Sequence, residues 1–81
     1  MRASVFKEMF YPMARQAHLE AAKYHLDAAR MHLEAAGKYH EGDRDAAEMH
    51  SHEAWAAAKV AEDKSTEAHG ESMRDARARV V

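Results

Sequence analysis

The sequence has no cysteine and no isoleucine, one proline, three glycines, and only four valines and one threonine as β-branched residues. Without cysteine the chain has no disulfide, no thiolate metal ligand and no thiol nucleophile. The scarcity of β-branched residues argues against strands, and abundant alanine favours helices. The sequence therefore predicts an all-α protein.

A strong net charge and long apolar runs are also lacking. The 12 Lys and Arg residues nearly balance the 14 Asp and Glu residues, which argues against nucleic acid or an anionic membrane as the main partner. No apolar run reaches membrane-spanning length. The start of the chain, MRASVFKEMFYP, is interrupted by Lys7 and Glu8 and makes a poor signal peptide. We therefore expect residues 1–81 to be a single cytoplasmic domain.

What the chain does have is a repeat, AHLEAAK, YHLDAAR and MHLEAAG, over residues 17–37. A period of seven residues is two helical turns, so each residue type forms a ladder along one helix. The His ladder is His18, His25 and His32, and the Leu ladder is Leu19, Leu26 and Leu33. At 100° per residue both ladders fall on one wide, alanine-lined face, with the acids and bases on another. We expect this face to be buried against more than one neighbour.

The predicted elements are two helices joined by a tight turn. Helix 1 spans about residues 12–41, with Pro12 in its first turn, and helix 2 spans about residues 44–69. Gly42 is expected in the left-handed position that ends helix 1, with Asp43 or Asp45 as the cap of helix 2. So short a link makes the helices antiparallel neighbours. An N-terminal aromatic segment (residues 1–11) and an Arg-containing tail (residues 70–81) flank the hairpin.

The hairpin is expected to assemble with other copies of itself. A face of small residues along helix 2 allows close approach, and the leucines of helix 1 are predicted to lie over it; its members are His50, Ala54, Ala57, Ala61, Lys64 and Ala68. Large core residues are few, and chains this short seldom gain more than about 3–5 kcal/mol from one core. We therefore predict a homo-oligomer, with a dimeric four-helix bundle favoured. Trp55 lies away from that face and would be covered by the aromatic segment of the same or another subunit.

The histidines are the main functional lead. Imidazole is a common ligand of Cu, Zn and Ni, and the candidate ligands are His18, His25, His32, His40 and His50. Ladder histidines are about 10.5 Å apart along the helix, so no two of them can share an ion. A site needs His40, His50 or the ladder of a second copy. The other interpretation is that these are buried packing residues, hydrogen-bonded across the bundle to Tyr, Glu or backbone.

Catalysis has little support in the sequence. The chain has four serines and one threonine, none with a convincing base beside it, and there is no glycine-rich phosphate loop. We expect the protein not to be an enzyme.

The repeat, followed by YHEGDRDAAEMHSHEA, resembles small uncharacterised Ala/His-rich helical proteins of bacteria, and the resemblance covers about residues 17–69. It implies no activity. The hairpin outline also resembles the ROP-type RNA-regulator bundle, a dimer of hairpins, by architecture alone.

Two functions follow as expectations. The first is a non-enzymatic, self-associating bundle whose buried His ladder holds a transition metal such as Cu, Zn or Ni. The alternative is a structural or adaptor bundle, without metal, that binds another protein through Trp55 and the N-terminal aromatic segment.

Overall fold

A computed structural model describes the backbone of residues 2–80 and the side chains of residues 13–79. Two helices account for this backbone: α1, Arg2–Glu41, and α2, Arg44–Val80. They form an antiparallel hairpin about 62 Å long and 14 by 12 Å across, as predicted. Neither helix has, within the described residues, a stretch long and apolar enough to cross a membrane.

Both helices are longer than predicted. The N-terminal aromatic segment belongs to α1, so Pro12 lies inside the helix and not in its first turn. At the other end α2 continues through Gly70 as far as Val80. The seven-residue pattern continues past Gly70. Ser72 meets a histidine of α1 as Ser65 does, and Asp75 is buried as Ala61 and Ala68 are.

The turn between the helices agrees with the prediction. Gly42 has a φ of 82°, and its N–H donates to the Tyr39 carbonyl at 3.1 Å. The Asp43 N–H donates to the Lys38 carbonyl at 3.0 Å, which completes a Schellman motif. Asp43 then caps α2, because its carboxylate accepts the Ala46 N–H at 3.1 Å. Two residues thus reverse the chain and satisfy groups at both helix ends.

The contact between the helices is made of alanine. One alanine in each heptad is buried, and together they form the inner seam: Ala14, Ala21, Ala28 and Ala35 on α1, and Ala47, Ala54, Ala61 and Ala68 on α2. The face of small residues predicted on α2 is confirmed. Asp75 continues this series at 5% exposure, paired with Arg79 at 3.1 Å. No large side chain among the described residues is fully buried.

The predicted role of the leucines is wrong for the hairpin. Leu19, Leu26 and Leu33 are 51%, 71% and 72% exposed, and they do not lie over the alanines of α2. Alanines on both helices allow a closer approach than leucines would. The alanine contact also places polar partners of the two helices opposite each other on both sides of the seam. The wide face of α1 therefore meets α2 only along its alanine edge.

Substitutions at two glycines test whether the surface of α2 at Gly70 is open and whether the turn needs the positive φ of Gly42. A Cβ at Gly70 would meet nothing within 4 Å, so Gly70→Ala should stabilise the helix by about 0.5–1 kcal/mol. Gly42→Ala is the matched control and should be destabilising, because position 42 needs a positive φ. Urea unfolding followed by circular dichroism measures both. A loss of stability in Gly70→Ala would show that this side of α2 is occupied.

Candidate functional site

The His ladder lies along one side of the inner seam, facing a ladder of small residues on α2. His18 Nε2 is 2.7 Å from Ser72 Oγ, and His25 Nε2 is 2.7 Å from Ser65 Oγ. From one contact to the next, the residue number rises by seven on α1 and falls by seven on α2, as expected for antiparallel helices. All three ladder histidines are exposed in the single chain, and their burial in an assembly of several copies stays a prediction.

The third step of the ladder is different. Ala58 stands where the series of Ser72 and Ser65 continues, so α2 offers His32 no hydroxyl. Within the described residues His18 and His25 hydrogen-bond to α2, whereas the His32 ring makes no side-chain hydrogen bond. The ladder thus has two tethered imidazoles and one untethered imidazole.

The other side of the inner seam carries ion pairs between the helices. Lys64 Nζ lies 3.2 Å from Glu20 Oε1 and 5.4 Å from the centre of the Tyr24 ring. Its hydrogen bond with Glu20 and the charge of that carboxylate raise the pKa of Lys64 above its usual value. His50 Nδ1 lies 3.4 Å from Glu34 Oε2, within ion-pairing distance but without a hydrogen bond. These contacts fix the same register as the His–Ser bonds.

The five candidate metal ligands are not brought together in one chain. His50 lies across the inner seam from the His ladder, and His40 lies in line with the Leu ladder, which points away from α2. No group of three or more His, Asp or Glu residues within the described part of the chain is arranged to hold a metal ion. The described part of one chain thus offers no cluster of three such ligands.

A second heptad seam lies on the outside of α1, on the same wide face that was predicted from the repeat. Its six residues, here called the outer seam, follow the alternating spacing of three and four residues of a coiled coil: Leu19, Ala22, Leu26, Ala29, Leu33 and Ala36. All six are exposed. The outer seam is about 25 Å long and runs beside the His ladder.

Trp55 is the largest exposed side chain of α2, at 57% exposure. The His52 ring stacks on it at 5.9 Å between centroids, and Lys59 Nζ lies 5.0 Å from the ring centre. Trp55 lies beside the half of α1 near the turn, more than about 30 Å along the axis from residues 2–11. The predicted cover by the aromatic segment of the same subunit is therefore wrong; the side chains of residues 1–11 lie outside the described residues.

The residues of α2 that meet the His ladder were not among the predicted site residues. Ser51, Ala58, Ser65 and Ser72 recur every seven residues, in step with the histidines. That shared period was a signal that could have identified them.

At the open end of the hairpin, a cavity of about 270 Å³ is lined by residues of both helices, among them His18, Ser72 and Asp75.

Comparisons of the chain with protein-family models, curated proteins and solved structures gave no match. The resemblance to Ala/His-rich bacterial proteins and to the ROP-type bundle stays a prediction.

The His–Ser contacts can be tested one at a time. Ser65→Ala removes the partner of His25 and should lower the free energy of unfolding by about 0.5–1.5 kcal/mol. Ser51→Ala is the control, because Ser51 occupies the equivalent helical position opposite Tyr39 and makes no side-chain hydrogen bond within the described residues. Urea unfolding of both variants should separate them, and equal stability would contradict a structural role for the His25–Ser65 bond.

Proposed function

We propose that this protein is a non-enzymatic, self-associating helical hairpin that forms a dimeric four-helix bundle and holds transition metal ions between the copies. The observation that carries the proposal is the outer seam beside the His ladder. Three leucines at heptad spacing are exposed, while the inner seam contains only alanine among its apolar residues.

Packing strength supports association. A buried methyl group contributes about 0.8 kcal/mol, whereas a fully buried leucine contributes about 1.5–3 kcal/mol. The hairpin therefore leaves its strongest apolar groups in water. Covering the outer seam would bury the leucines and add to the weak alanine contact.

A second copy is the partner that fits the outer seam. The corresponding outward positions of α2 are mostly polar and hold one large apolar residue, Trp55, so α1 of another chain is the element that best completes the outer seam. These positions are His52, Trp55, Lys59, Glu62, Thr66 and His69. In an antiparallel pair each leucine packs against an alanine of the other copy, which gives layers of equal size. A parallel pair would alternate Leu–Leu layers with Ala–Ala layers.

Metal binding follows from the same contact. Ladder histidines of one chain are too far apart to share an ion. Because the His ladder borders the outer seam, association brings the ladder of a second chain to the same side. Imidazole favours Cu, Zn and Ni, which are therefore the proposed ions.

The His–Ser pairs are proposed as structural contacts and not as catalytic ones. A serine nucleophile needs a histidine that a third group orients, usually a carboxylate at Nδ1. Within the described residues the side-chain hydrogen bonds of His18 and His25 go only to Ser72 and Ser65.

Charge in the outer seam tests the association. Leu26→Glu would place an unpaired carboxylate in the middle of the contact and should abolish the dimer. Val60→Glu, at an exposed apolar residue of α2 outside the seam, is the matched control and should remain dimeric. Light scattering in the presence of chelator gives the mass of each variant. A dimeric Leu26→Glu would show that the outer seam is not the contact.

A second candidate function rests on the exposure of Trp55. In this alternative the bundle is an adaptor without metal, and it binds another protein through Trp55 and the N-terminal aromatic segment. Trp55→Ala should then abolish partner capture while leaving helix content and the dimer unchanged. Capture that survives in Trp55→Ala would remove this candidate.

A further inference from the structure

We propose that the metal ligands are His25 of one copy and His32 of the other, in two equivalent pairs per dimer. This inference rests on the proposed dimer and specifies its register and its metal site. It excludes His18, His40 and His50, which the sequence alone cannot separate from the others.

The register follows from matching large and small residues along the outer seam. Only one antiparallel register pairs all three leucines with alanines: Leu26 meets Ala29 of the second copy, Leu19 meets Ala36 and Leu33 meets Ala22. Every other register leaves at least one leucine without an alanine. The two-fold axis then passes between residues 27 and 28.

This register fixes the heights of the histidines. In an antiparallel pair of helices the same side of each seam meets its own equivalent, so the two His ladders face each other. At the level of His25 lies residue 30 of the second copy, and His32 of that copy is two residues away, about 3 Å along the axis. By contrast, His25 is offset from the second copy's His25 by five residues, about 7.5 Å. Among the residues of the second copy that continue its His ladder, Tyr39 lies closest in height to His18.

The contacts within the hairpin suit these two imidazoles for a metal. His32 faces Ala58 and is not tethered to α2. His25 is held at Nε2 by Ser65 Oγ, 2.7 Å away. Ligating histidines commonly donate the second ring N–H to an oxygen, which fixes the ring and its tautomer. Ser65 supplies that oxygen and leaves Nδ1 of His25 for the ion.

Two imidazoles with water in the remaining positions form a site for a borderline divalent ion, and Zn²⁺ is the probe we choose. Equilibrium dialysis of the full chain should give one Zn²⁺ per chain, or two per dimer. His25→Ala and His32→Ala should each lower the affinity about tenfold or more. His18→Ala, at the equivalent position one repeat earlier, should bind as the wild type does.

A mixture of variants provides the decisive measurement. Neither the His25→Ala dimer nor the His32→Ala dimer has an intact pair. A mixed dimer has one, formed by His32 of the His25→Ala chain and His25 of the His32→Ala chain. Mixing the variants should therefore restore binding, to one Zn²⁺ per mixed dimer. No restoration, or an equal loss in His18→Ala, would overturn the assignment.

Sedimentation of the same proteins in EDTA distinguishes a failure of this metal site from a failure of the proposed dimer. Dimers that persist without the predicted pattern of Zn²⁺ binding would refute this site and leave the association intact. A monomeric wild-type chain would refute the proposed function itself.

Discussion

The packing of methyl against methyl along the inner seam is the interaction on which the rest of the structure depends. Alanine at each contact allows the two helices to approach closely. It also limits what each layer contributes, because a single methyl removes little apolar surface from water. The same close approach brings polar groups on both sides of the seam within reach of each other.

Specificity in this hairpin therefore comes from its polar borders. A seam of alanines resists a shift by one heptad only weakly, since alanine would meet alanine again. The His–Ser bonds on one side and the contacts of Glu20 with Lys64 and Glu34 with His50 on the other exist in a single register. Ala58 breaks the serine series and makes that register unique along the His ladder. It also leaves His32 untethered, next to the surface where we propose a second copy.

The sequence predicted the local features well. Gly42 and Asp43 act through their own backbone and nearest neighbours, so the turn could be assigned from the residue types. The alanine face of α2 was also evident, because no other stripe of that helix is as small. The course of α2 past Gly70 was not, because a lone glycine ends a helix only if the following residues cap it.

The orientation of α1 could not be deduced in the same way. Its repeat contains an alanine ladder and a mixed Leu/Ala seam, and either could face a partner. The choice depends on contacts with residues 40 to 54 positions away in sequence, such as Ser65 and Ser72. The prediction that the leucines of α1 lie over the alanines of α2 was wrong for this reason. Two distinct seams on α1 are the physical basis for the association that we propose.

The most direct test is an isotope-filtered nuclear Overhauser experiment on a mixture of ¹³C-labelled and unlabelled chains. It detects only contacts between different copies. If a second copy covers the outer seam, the methyl groups of Leu26 in labelled chains will show cross-peaks to the Ala29 methyl of unlabelled chains. If those cross-peaks are absent while other contacts between copies are present, the leucines do not form the interface and the account is wrong.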